Sequence, residues 1–244
     1  MGNERQTVGI IGGGQLAWMM AQEAKRLTLK TIIQTPSSDD PAAGLADEVV
    51  LGKVADVAAT QALAKRCDVI TFENEFVDLE GLEKINNSQG LFRPRLSALK
   101  PLLDKYEQRC YMGNLGLPVP HFFELTQENQ SSVEINFPCV MKARRHGYDG
   151  QGTAILRDKS DLEDTWKRWG YPSVLMEEFI PFERELAVIA ARNRDGEIAI
   201  YPIVETQQEH QVCRRVIAPA AVSDGVVEDC QAIARSLLTH LDVV

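Results

Sequence analysis

The segment of the chain that carries most chemistry is Lys-Ala-Arg-Arg-His-Gly-Tyr-Asp-Gly-Gln-Gly at residues 142–152. Lys142 lies at the end of an apolar run, and its compact charge suits a phosphate. Three glycines within six positions, from Gly147 to Gly152, let backbone N–H groups approach an anion. The basic cluster at residues 144–146 favours a polyphosphate, and no Gly-Lys-Ser/Thr follows that would make a P-loop. The segment predicts a nucleotide-phosphate loop, with a glycine-rich hairpin carrying solvated charges as the alternative.

A second glycine-rich segment, Gly-Gly-Gly-Gln-Leu-Ala at residues 12–17, fits the dinucleotide pattern G-x-G-x-x-G/A between a strand and a helix. That motif also needs an acidic residue at the end of the second strand to hold ribose hydroxyls, but this strand ends in Gln-Thr-Pro at residues 34–36. Nicotinamide binding is therefore disfavoured. Two interpretations stay open: the glycines permit a tight turn with close helix packing, or the helix N-terminus holds the phosphate of a phosphorylated substrate.

Carboxylates follow two of the predicted strands. Glu73 and Glu75 come just past the end of an apolar run, where open α/β sheets bind ligands, and could accept hydrogen bonds from hydroxyls or an amine. An acidic surface turn is the alternative. Glu177 and Glu178 follow a later run, and Glu185 stands eight positions after Glu177. Such residues mark hydroxyl or metal contacts, or a solvated face.

The elements that must position these residues differ between the two parts of the chain. Apolar runs at 7–11, 31–34, 49–51 and 68–72 alternate with helical spacing, and Asp56 is a predicted cap of a helix ending near Arg66, which favours a parallel Rossmann-like sheet. Beyond the prolines near residue 94 we expect a helix at 102–115, strands at 139–142 and 154–156, and a helix at 161–169. The runs at 174–177, 185–189 and 198–201 predict a mostly antiparallel sheet with a hairpin turn at 195–196, and a helix is expected at 227–241.

Composition narrows the class of protein. The 244 residues are 44% hydrophobic and 25% charged, which is typical of globular chains and excludes wholesale disorder. A net charge of −9 disfavours binding to nucleic acid or to anionic membranes, and no apolar stretch approaches a membrane span. The five cysteines form no CxxC pair, so neither a disulfide scaffold nor a zinc site is indicated. We expect a globular protein of a reducing compartment, the cytoplasm.

Taken in order, the motifs resemble a known family. They are GGGQLA, TFENEF, LDKYEQR, VMKARRHGYDGQGT, MEEFIPFERE and YPIVET followed by VIAPA. This order is similar to that of the ATP-grasp enzymes of purine biosynthesis, in particular the N5-carboxyaminoimidazole ribonucleotide synthetases. The resemblance implies an α/β chain with a Rossmann-like pre-ATP-grasp domain (1–98) followed by an incomplete ATP-grasp α+β domain. The latter would comprise a small subdomain (99–175) and the first part of a large subdomain (176–244).

The family's reaction is implied as well. ATP and bicarbonate would carboxylate the exocyclic amine of aminoimidazole ribonucleotide through carboxyphosphate, releasing ADP and phosphate. Mg²⁺ would be the metal cofactor, a homodimer the assembly, and no covalent nucleophile of the enzyme would take part. No residue is therefore assigned as catalytic.

Site residues follow from the matching motifs. Those expected to contact ATP, through its phosphates, the closing loop, the adenine edge or the ribose, are Lys105, Lys142, Gly147, Tyr148, Asp149, Gly150, Gln151, Gly152, Thr153, Glu177, Glu178, Phe179, Ile180, Glu185 and Gln208. Those expected to face the aminoimidazole ribonucleotide are Gln15, Leu16, Glu73, Glu75, Tyr148 and Asp149.

Three departures from the family pattern bear on activity. Gln151 stands where relatives usually carry a lysine or arginine, and Gln208 where many have a histidine. The family's magnesium-binding Glu and Asn-Glu pair are expected beyond Val244, so no metal ligand is assigned within the chain and full turnover is not expected of it. The alternatives are another ATP-grasp ligase, one using formate or glycinamide; an NAD-dependent oxidoreductase; and a non-catalytic nucleotide-binding module.

Overall fold

The computed structural model describes residues 6–85, 90–145, 147, 152–209 and 212–244. These residues form two compact units, one made of residues 1–100 with 243–244 and the other of residues 101–242. The expected domain divisions after residues 98 and 175 stay predictions.

The first unit is built on a parallel sheet. Its elements in chain order are β1 (Thr7–Ile11), α1 (Gln15–Arg26), β2 (Lys30–Thr35), β3 (Glu48–Leu51), α2 (Val57–Ala64), β4 (Val69–Phe72), α3 (Leu79–Glu83) and α4 (Leu96–Leu99). The strand order is β3-β2-β1-β4, with all neighbours parallel. The four predicted strands and the Rossmann-like arrangement are thus confirmed.

Both faces of this sheet are covered, which explains why its strands read as continuous apolar runs. Ile10 and Ile33 pack with Ala17 and Ala21 of α1 on one face. Their neighbours in the strands point the other way, and Ile11 belongs to the cluster on the opposite face. The predicted cap is also confirmed, because the Asp56 carboxylate accepts a hydrogen bond from Ala59 N at 3.0 Å.

The second unit is built on a four-stranded antiparallel sheet. Its first elements are α5 (Lys105–Asn114), β5 (Phe122–Leu125), β6 (Cys139–Ala143), β7 (Thr153–Leu156), α6 (Lys159–Arg168) and β8 (Val174–Glu178). The strand order is β5-β8-β6-β7. The predicted helix at 102–115 begins later because Asp104 caps it, its carboxylate accepting from Tyr106 N at 2.9 Å.

The remaining strands form two smaller sheets. The elements are β9 (Glu185–Ala187), β10 (Ala190–Arg192), β11 (Ile198–Ile200), β12 (Val204–Glu209), β13 (Val212–Ile217) and α7 (Asp224–Leu241). One sheet has the order β13-β12-β9, and β10 pairs with β11 across the predicted turn at 195–196.

The antiparallel pairing predicted from residue 173 onward is confirmed, but the prediction that these runs share a sheet is wrong. Its three runs fall in three different sheets: β8 pairs with β5 and β6, β9 pairs with β12, and β11 pairs with β10. The physical reason lies in burial. Four of the five residues of β8 are buried, which suits a strand with a neighbour on each side, whereas β9, β10 and β11 are only partly covered.

Replacing Gly81 by Ala is expected to destabilise the first unit. An added Cβ would overlap Val57 of α2 and lie 2.5 Å from Asp78 Oδ2, and such overpacking costs about 1–3 kcal/mol. The matched control is Gly225→Ala in α7, where an added Cβ meets nothing within 4 Å and an unchanged or slightly higher stability is expected. Urea unfolding of both variants measures the difference. Equal stabilities would contradict the close approach of α2 and α3.

Candidate functional site

A buried carboxylate with two cations is the centre of the candidate site in the second unit. The Glu177 side chain is only 4% exposed. Lys142 Nζ lies 2.5 Å from its Oε2, and Arg109 Nε donates a hydrogen bond to its Oε1. Burial by itself would raise the pKa of the Glu177 carboxyl, but the bonds from Lys142 and Arg109 outweigh it and hold the pKa below its ordinary value. Glu177 is therefore ionised at neutral pH.

Three elements bring these groups together. In the pairing of β6 with β8, Val140 lies opposite Glu177, so Lys142 lies two residues farther along the same face of the sheet. Arg109 comes from α5, one turn after Lys105, which places both cations on one side of that helix. Sequence reasoning missed Arg109. Its only local signal is the four-residue spacing from Lys105, and its partner is 68 positions away in the chain.

The base of the predicted phosphate loop is a hairpin. Lys142 pairs with Thr153, and Ala143 N donates to Gly152 O at 2.7 Å. Gly152 has φ +78°, in the left-handed region that favours glycine, and a Cβ there would lie 3.0 Å from the Ala143 Cβ and 3.4 Å from the Gly147 Cα. The hairpin thus brings together four of the expected ATP residues, namely Lys142, Gly147, Gly152 and Thr153. The others expected in this loop, Tyr148, Asp149, Gly150 and Gln151, lie outside the described residues.

The sequence suggests that Arg144, as a member of the basic cluster, binds a polyphosphate, but the structure pairs it with carboxylates of the protein. Its Nε lies 2.9 Å from Asp104 Oδ2, its Nη1 pairs with Glu124, and its guanidinium lies 5.2 Å from the centre of the Tyr106 ring. Burial would raise the pKa of Asp104, but the bonds from Arg144 and from backbone N–H groups hold it below its ordinary value. The guanidinium is bound to the protein's own carboxylates, and the Arg144 carbonyl accepts from Lys105 N at 2.9 Å. Arg144 therefore anchors the loop to the start of α5.

Three further expected ATP residues, Glu178, Glu185 and Gln208, lie in two different sheets. Glu178 ends β8 exposed, with its N–H bonded to His121 O at 2.9 Å, and the chain then leaves the sheet. Glu185 pairs with Thr206, two residues before Gln208 on β12. Glu185 and Gln208 therefore lie on adjacent strands of a sheet other than the one that holds Glu177.

Phe179 and Ile180, the expected hinge residues, lie in the chain between the end of β8 and the start of β9. Phe179 is half-buried and Ile180 exposed, and the Ile180 carbonyl accepts from Phe182 N at 2.9 Å.

In the first unit, Glu73 occupies the N-terminus of α1. The strand order reverses between β1 and β4, and Glu73 follows β4 at that point. Its Oε2 accepts from Gly14 N at 2.9 Å and its Oε1 from Ala17 N at 3.4 Å. Gly12 has φ +118°, and an added Cβ there would lie 2.6 Å from the Glu73 Cβ. A carboxylate of the protein thus lies where dinucleotide folds hold a phosphate.

Of the two interpretations left open for this glycine segment, close packing is therefore favoured. A Cβ at Gly14 would overlap the Glu73 carboxylate, and one at Gly13 would lie 2.6 Å from the Thr35 Cβ. The end of β2 offers no ribose carboxylate, since buried Gln34 donates to Lys53 O at 2.8 Å and accepts from the Thr60 hydroxyl at 2.8 Å.

The residues expected to face the ribonucleotide partly converge in this unit. Gln15 and Leu16 begin α1 beside Glu73, and both are exposed. Glu75 is also exposed and follows Glu73 by two residues.

The described residues include neither a metal-binding cluster nor a membrane-spanning helix. No group of three or more His, Cys, Asp or Glu side chains there could hold a metal ion. No helix in the same residues is long and apolar enough to cross a membrane. The thiols offer little reactivity where they are buried, since burial raises the pKa of Cys67 and of Cys139 to about 11.

Comparison with known proteins gave matches along the chain. A model of the ATP-grasp domain matches residues 111–244, and one of the ribonucleotide synthetase preATP-grasp domain matches residues 5–100. An N5-carboxyaminoimidazole ribonucleotide synthase of Synechocystis is 56% identical over 238 residues, which are 98% of this chain and 61% of the relative. The chain thus spans about three fifths of the relative's length.

Solved structures give the same picture. A structure named N5-carboxyaminoimidazole ribonucleotide synthetase superimposes with a TM-score of 0.91 at 30% identity, covering 98% of this chain and 64% of the other. An N5-carboxyaminoimidazole synthase of Aspergillus clavatus gives 0.86 at 28% identity, covering 96% and 62%. The α/β fold expected from the sequence, a pre-ATP-grasp domain followed by an ATP-grasp domain, is confirmed.

The packing of Glu73 against the glycine segment can be measured with a double-mutant cycle. Gly14→Ala is expected to destabilise the chain by about 1–3 kcal/mol, because the new Cβ overlaps the Glu73 carboxylate. In a Glu73→Ala background the cost is expected to shrink by about 1 kcal/mol or more, as read by urea unfolding. Gly13→Ala is the control, since its Cβ meets Thr35 and its cost does not depend on residue 73. Additive effects at Gly14 would contradict the contact.

Arg144→Met is expected to lower the free energy of unfolding by about 3 kcal/mol at pH 7, because it removes the main counter-ion of the buried Asp104 and leaves only the exposed Arg145, whose Nε lies 3.5 Å from Asp104 Oδ2. In the wild type the lowered pKa of Asp104 gives stability that is complete above the unfolded-state pKa and is lost as the pH falls through the folded-state pKa. In the variant the pKa-lowering bonds from Arg144 are lost while the burial remains, so Asp104 takes up a proton at a higher pH than in the wild type, and this protonation relieves the penalty on acidification. The difference between the two proteins is therefore expected to shrink from pH 7 to pH 4.

Urea unfolding at both pH values measures that difference. The control is Lys159→Met, which removes an exposed pair with Glu163 at 3.8 Å and is expected to change stability by no more than about 0.5 kcal/mol at either pH. A difference for Arg144→Met that stays constant with pH would show that Asp104 does not depend on the guanidinium.

Proposed function

The chain belongs to the ATP-grasp family, and from this premise we propose that it is the nucleotide-binding part of an enzyme that carboxylates 5-aminoimidazole ribonucleotide. ATP and bicarbonate would be the co-substrates, and N5-carboxyaminoimidazole ribonucleotide, ADP and phosphate the products, in de novo purine biosynthesis. The names of the relatives support this. One similar structure is a complex with ADP, and another is a complex with ADP and 5-aminoimidazole ribonucleotide.

The observation that carries the proposal is Lys142 at the base of the β6–β7 hairpin, beside the ionised Glu177. A lysine fixed at the mouth of a glycine-rich loop suits the phosphates of a nucleotide. We assign Lys105 and Lys142 to the ATP phosphates, residues 147–153 to the closing loop, residues 177–180 to the adenine edge and hinge, and Glu185 with Gln208 to the ribose side.

The ribonucleotide is assigned to Gln15, Leu16, Glu73 and Glu75 of the first unit. Because backbone N–H groups of α1 hold the Glu73 carboxylate, this side chain suits hydroxyl or amine donors of the substrate rather than its phosphate. The assignment of Tyr148 and Asp149 to the same substrate stays a prediction.

The proposed chemistry has two steps. A bicarbonate oxygen attacks the γ-phosphorus of ATP, the bond to the β,γ-bridging oxygen breaks, and ADP leaves as carboxyphosphate forms. The exocyclic amine of the ribonucleotide then attacks the carboxyl carbon, or CO₂ released from it, and phosphate departs while the nitrogen loses a proton. Lys105 and Lys142 would offset the negative charge that develops on the phosphoryl oxygens. Loop closure would keep water from the reactive carboxyphosphate.

Further parts of the proposal rest on the family alone. Mg²⁺ would accompany ATP, but the described residues include no cluster of three or more ligating side chains, so no step is assigned to the metal. Bicarbonate as the carbon source, a homodimeric assembly and a cytoplasmic location are likewise proposed.

Phosphate release from ATP, Mg²⁺ and bicarbonate, with and without aminoimidazole ribonucleotide, tests the function. Stimulation by the ribonucleotide is expected of the enzyme. A second test replaces the matching part of the full-length Synechocystis relative by this segment. If ADP binds but the ribonucleotide stimulates no turnover, even in this chimaera, a non-catalytic nucleotide-binding module is favoured instead. Stimulation by formate or a glycinamide substrate in place of bicarbonate and the ribonucleotide would favour another ATP-grasp ligase.

Lys142→Met is expected to weaken ADP binding about 10–100-fold, which corresponds to the loss of a hydrogen bond between charged groups of about 1.5–3 kcal/mol. Isothermal titration calorimetry measures the affinity. Lys159→Met on α6 removes a lysine from an exposed pair and is expected to leave binding unchanged. An unaltered affinity in Lys142→Met, with the fold intact by circular dichroism, would remove Lys142 from the phosphate site.

A further inference from the structure

We propose that Arg109 is a positioning residue that frees Lys142 for the nucleotide: it remains as the counter-ion of Glu177 when Lys142 turns to a phosphate. The inference rests on the proposed nucleotide site and adds to it a residue that contacts no ligand. Arg109 acts through Glu177, and Glu177 through Lys142.

The geometry gives each oxygen of Glu177 its own cation. Arg109 bonds to Oε1 and Lys142 to Oε2. Loss of one bond therefore leaves the other in place. The carboxylate is 4% exposed, but the Lys142 side chain is 25% exposed, so the lysine borders on solvent while its partner does not.

Within the described part of the chain, Glu177 depends on these two cations alone. The charged side chains that act on it are Lys142 from β6 and Arg109 from α5. The strands on either side place Phe122 and Val140 opposite it in register, and neither carries a charge. Without Arg109, a Lys142 that moved to a phosphate would leave a buried and unpaired carboxylate, which is strongly unfavourable unless it takes up a proton.

The two cations differ in a way that suits this division. An arginine stays protonated at all relevant pH values and holds a carboxylate through a planar fork, which suits a permanent counter-ion. A lysine is a compact charge on a flexible stem, which suits a group that exchanges a carboxylate for a phosphate. Arg109 is also held on its helix, with Nη1 3.9 Å from the Met112 sulfur, and its side chain is 23% exposed.

Proton uptake on nucleotide binding tests the inference. ADP with Mg²⁺ is titrated calorimetrically into the 244-residue chain at pH 7, in buffers of differing ionisation enthalpy. We expect Arg109→Met to take up close to one more proton per ADP than the wild type, because Glu177 becomes protonated when Lys142 leaves it. The double variant Arg109→Met/Glu177→Gln has no carboxylate to protonate and is expected to lose the extra uptake. Arg109→Lys keeps the charge and is expected to behave like the wild type.

The pH dependence of the ADP affinity also reports this proton uptake. Because binding to Arg109→Met consumes a proton, the ratio of its Kd to the wild-type Kd is expected to rise with pH between 6 and 8, by up to tenfold per pH unit. A merely structural role would lower the affinity equally at every pH. Thermal unfolding without nucleotide identifies variants that have lost the fold, and Arg109→Lys then supplies the comparison.

The outcomes separate the two proposals. Wild-type binding of ADP, together with no extra proton uptake and a constant Kd ratio in Arg109→Met, would overturn the part assigned to Arg109 and leave the nucleotide site standing. No ADP binding by the wild type would overturn the nucleotide site and this inference with it.

Discussion

The candidate nucleotide site depends on one partly buried guanidinium, that of Arg144. It pairs with Asp104, the residue that caps α5, while its carbonyl accepts from Lys105 N. Since Arg144 also lies two positions after Lys142, this single residue fixes the strand that carries one lysine against the helix that carries the other. Removing charges from water is unfavourable unless they are paired, so the arrangement holds only while the carboxylates and the guanidinium remain together.

Both glycine segments follow a strand, but one serves close packing and the other is proposed to bind phosphate. The sign of the neighbouring charge accounts for this difference. After β1, the N–H groups at the start of α1 are met by the protein's own anion, Glu73, so the glycines serve close packing. In β6, Lys142 is the last residue but one, and the residue opposite it across the hairpin is uncharged Thr153. A glycine-rich turn after a strand therefore says little about ligands until the charge facing it is known.

Local patterns predicted what local forces determine. The four strands of the first unit and the Asp56 cap follow from apolar runs and from a side chain that bonds three residues ahead. What failed or was missed depends on distant partners: the neighbours of β8 come from earlier in the chain, and Arg109 is defined by Glu177. Strand β12 is mostly polar, and the apolar residues of β13 are interrupted by two arginines and largely exposed. Neither strand therefore shows the apolar alternation of a half-buried strand. The ligands came from family resemblance, not from spacing.

Glu177 can be understood as an anion that keeps the site assembled before a ligand arrives. Lys142 and Arg109 repel each other, and in a chain without bound phosphate only a carboxylate between them holds both close to a partly buried position. A nucleotide must then compete with Glu177 for Lys142, which lowers the gain from that one contact. In return the lysine is already ordered and partly desolvated, so less conformational freedom is lost on binding. An arginine on the second oxygen reduces the competition, because the carboxylate is never left without a cation.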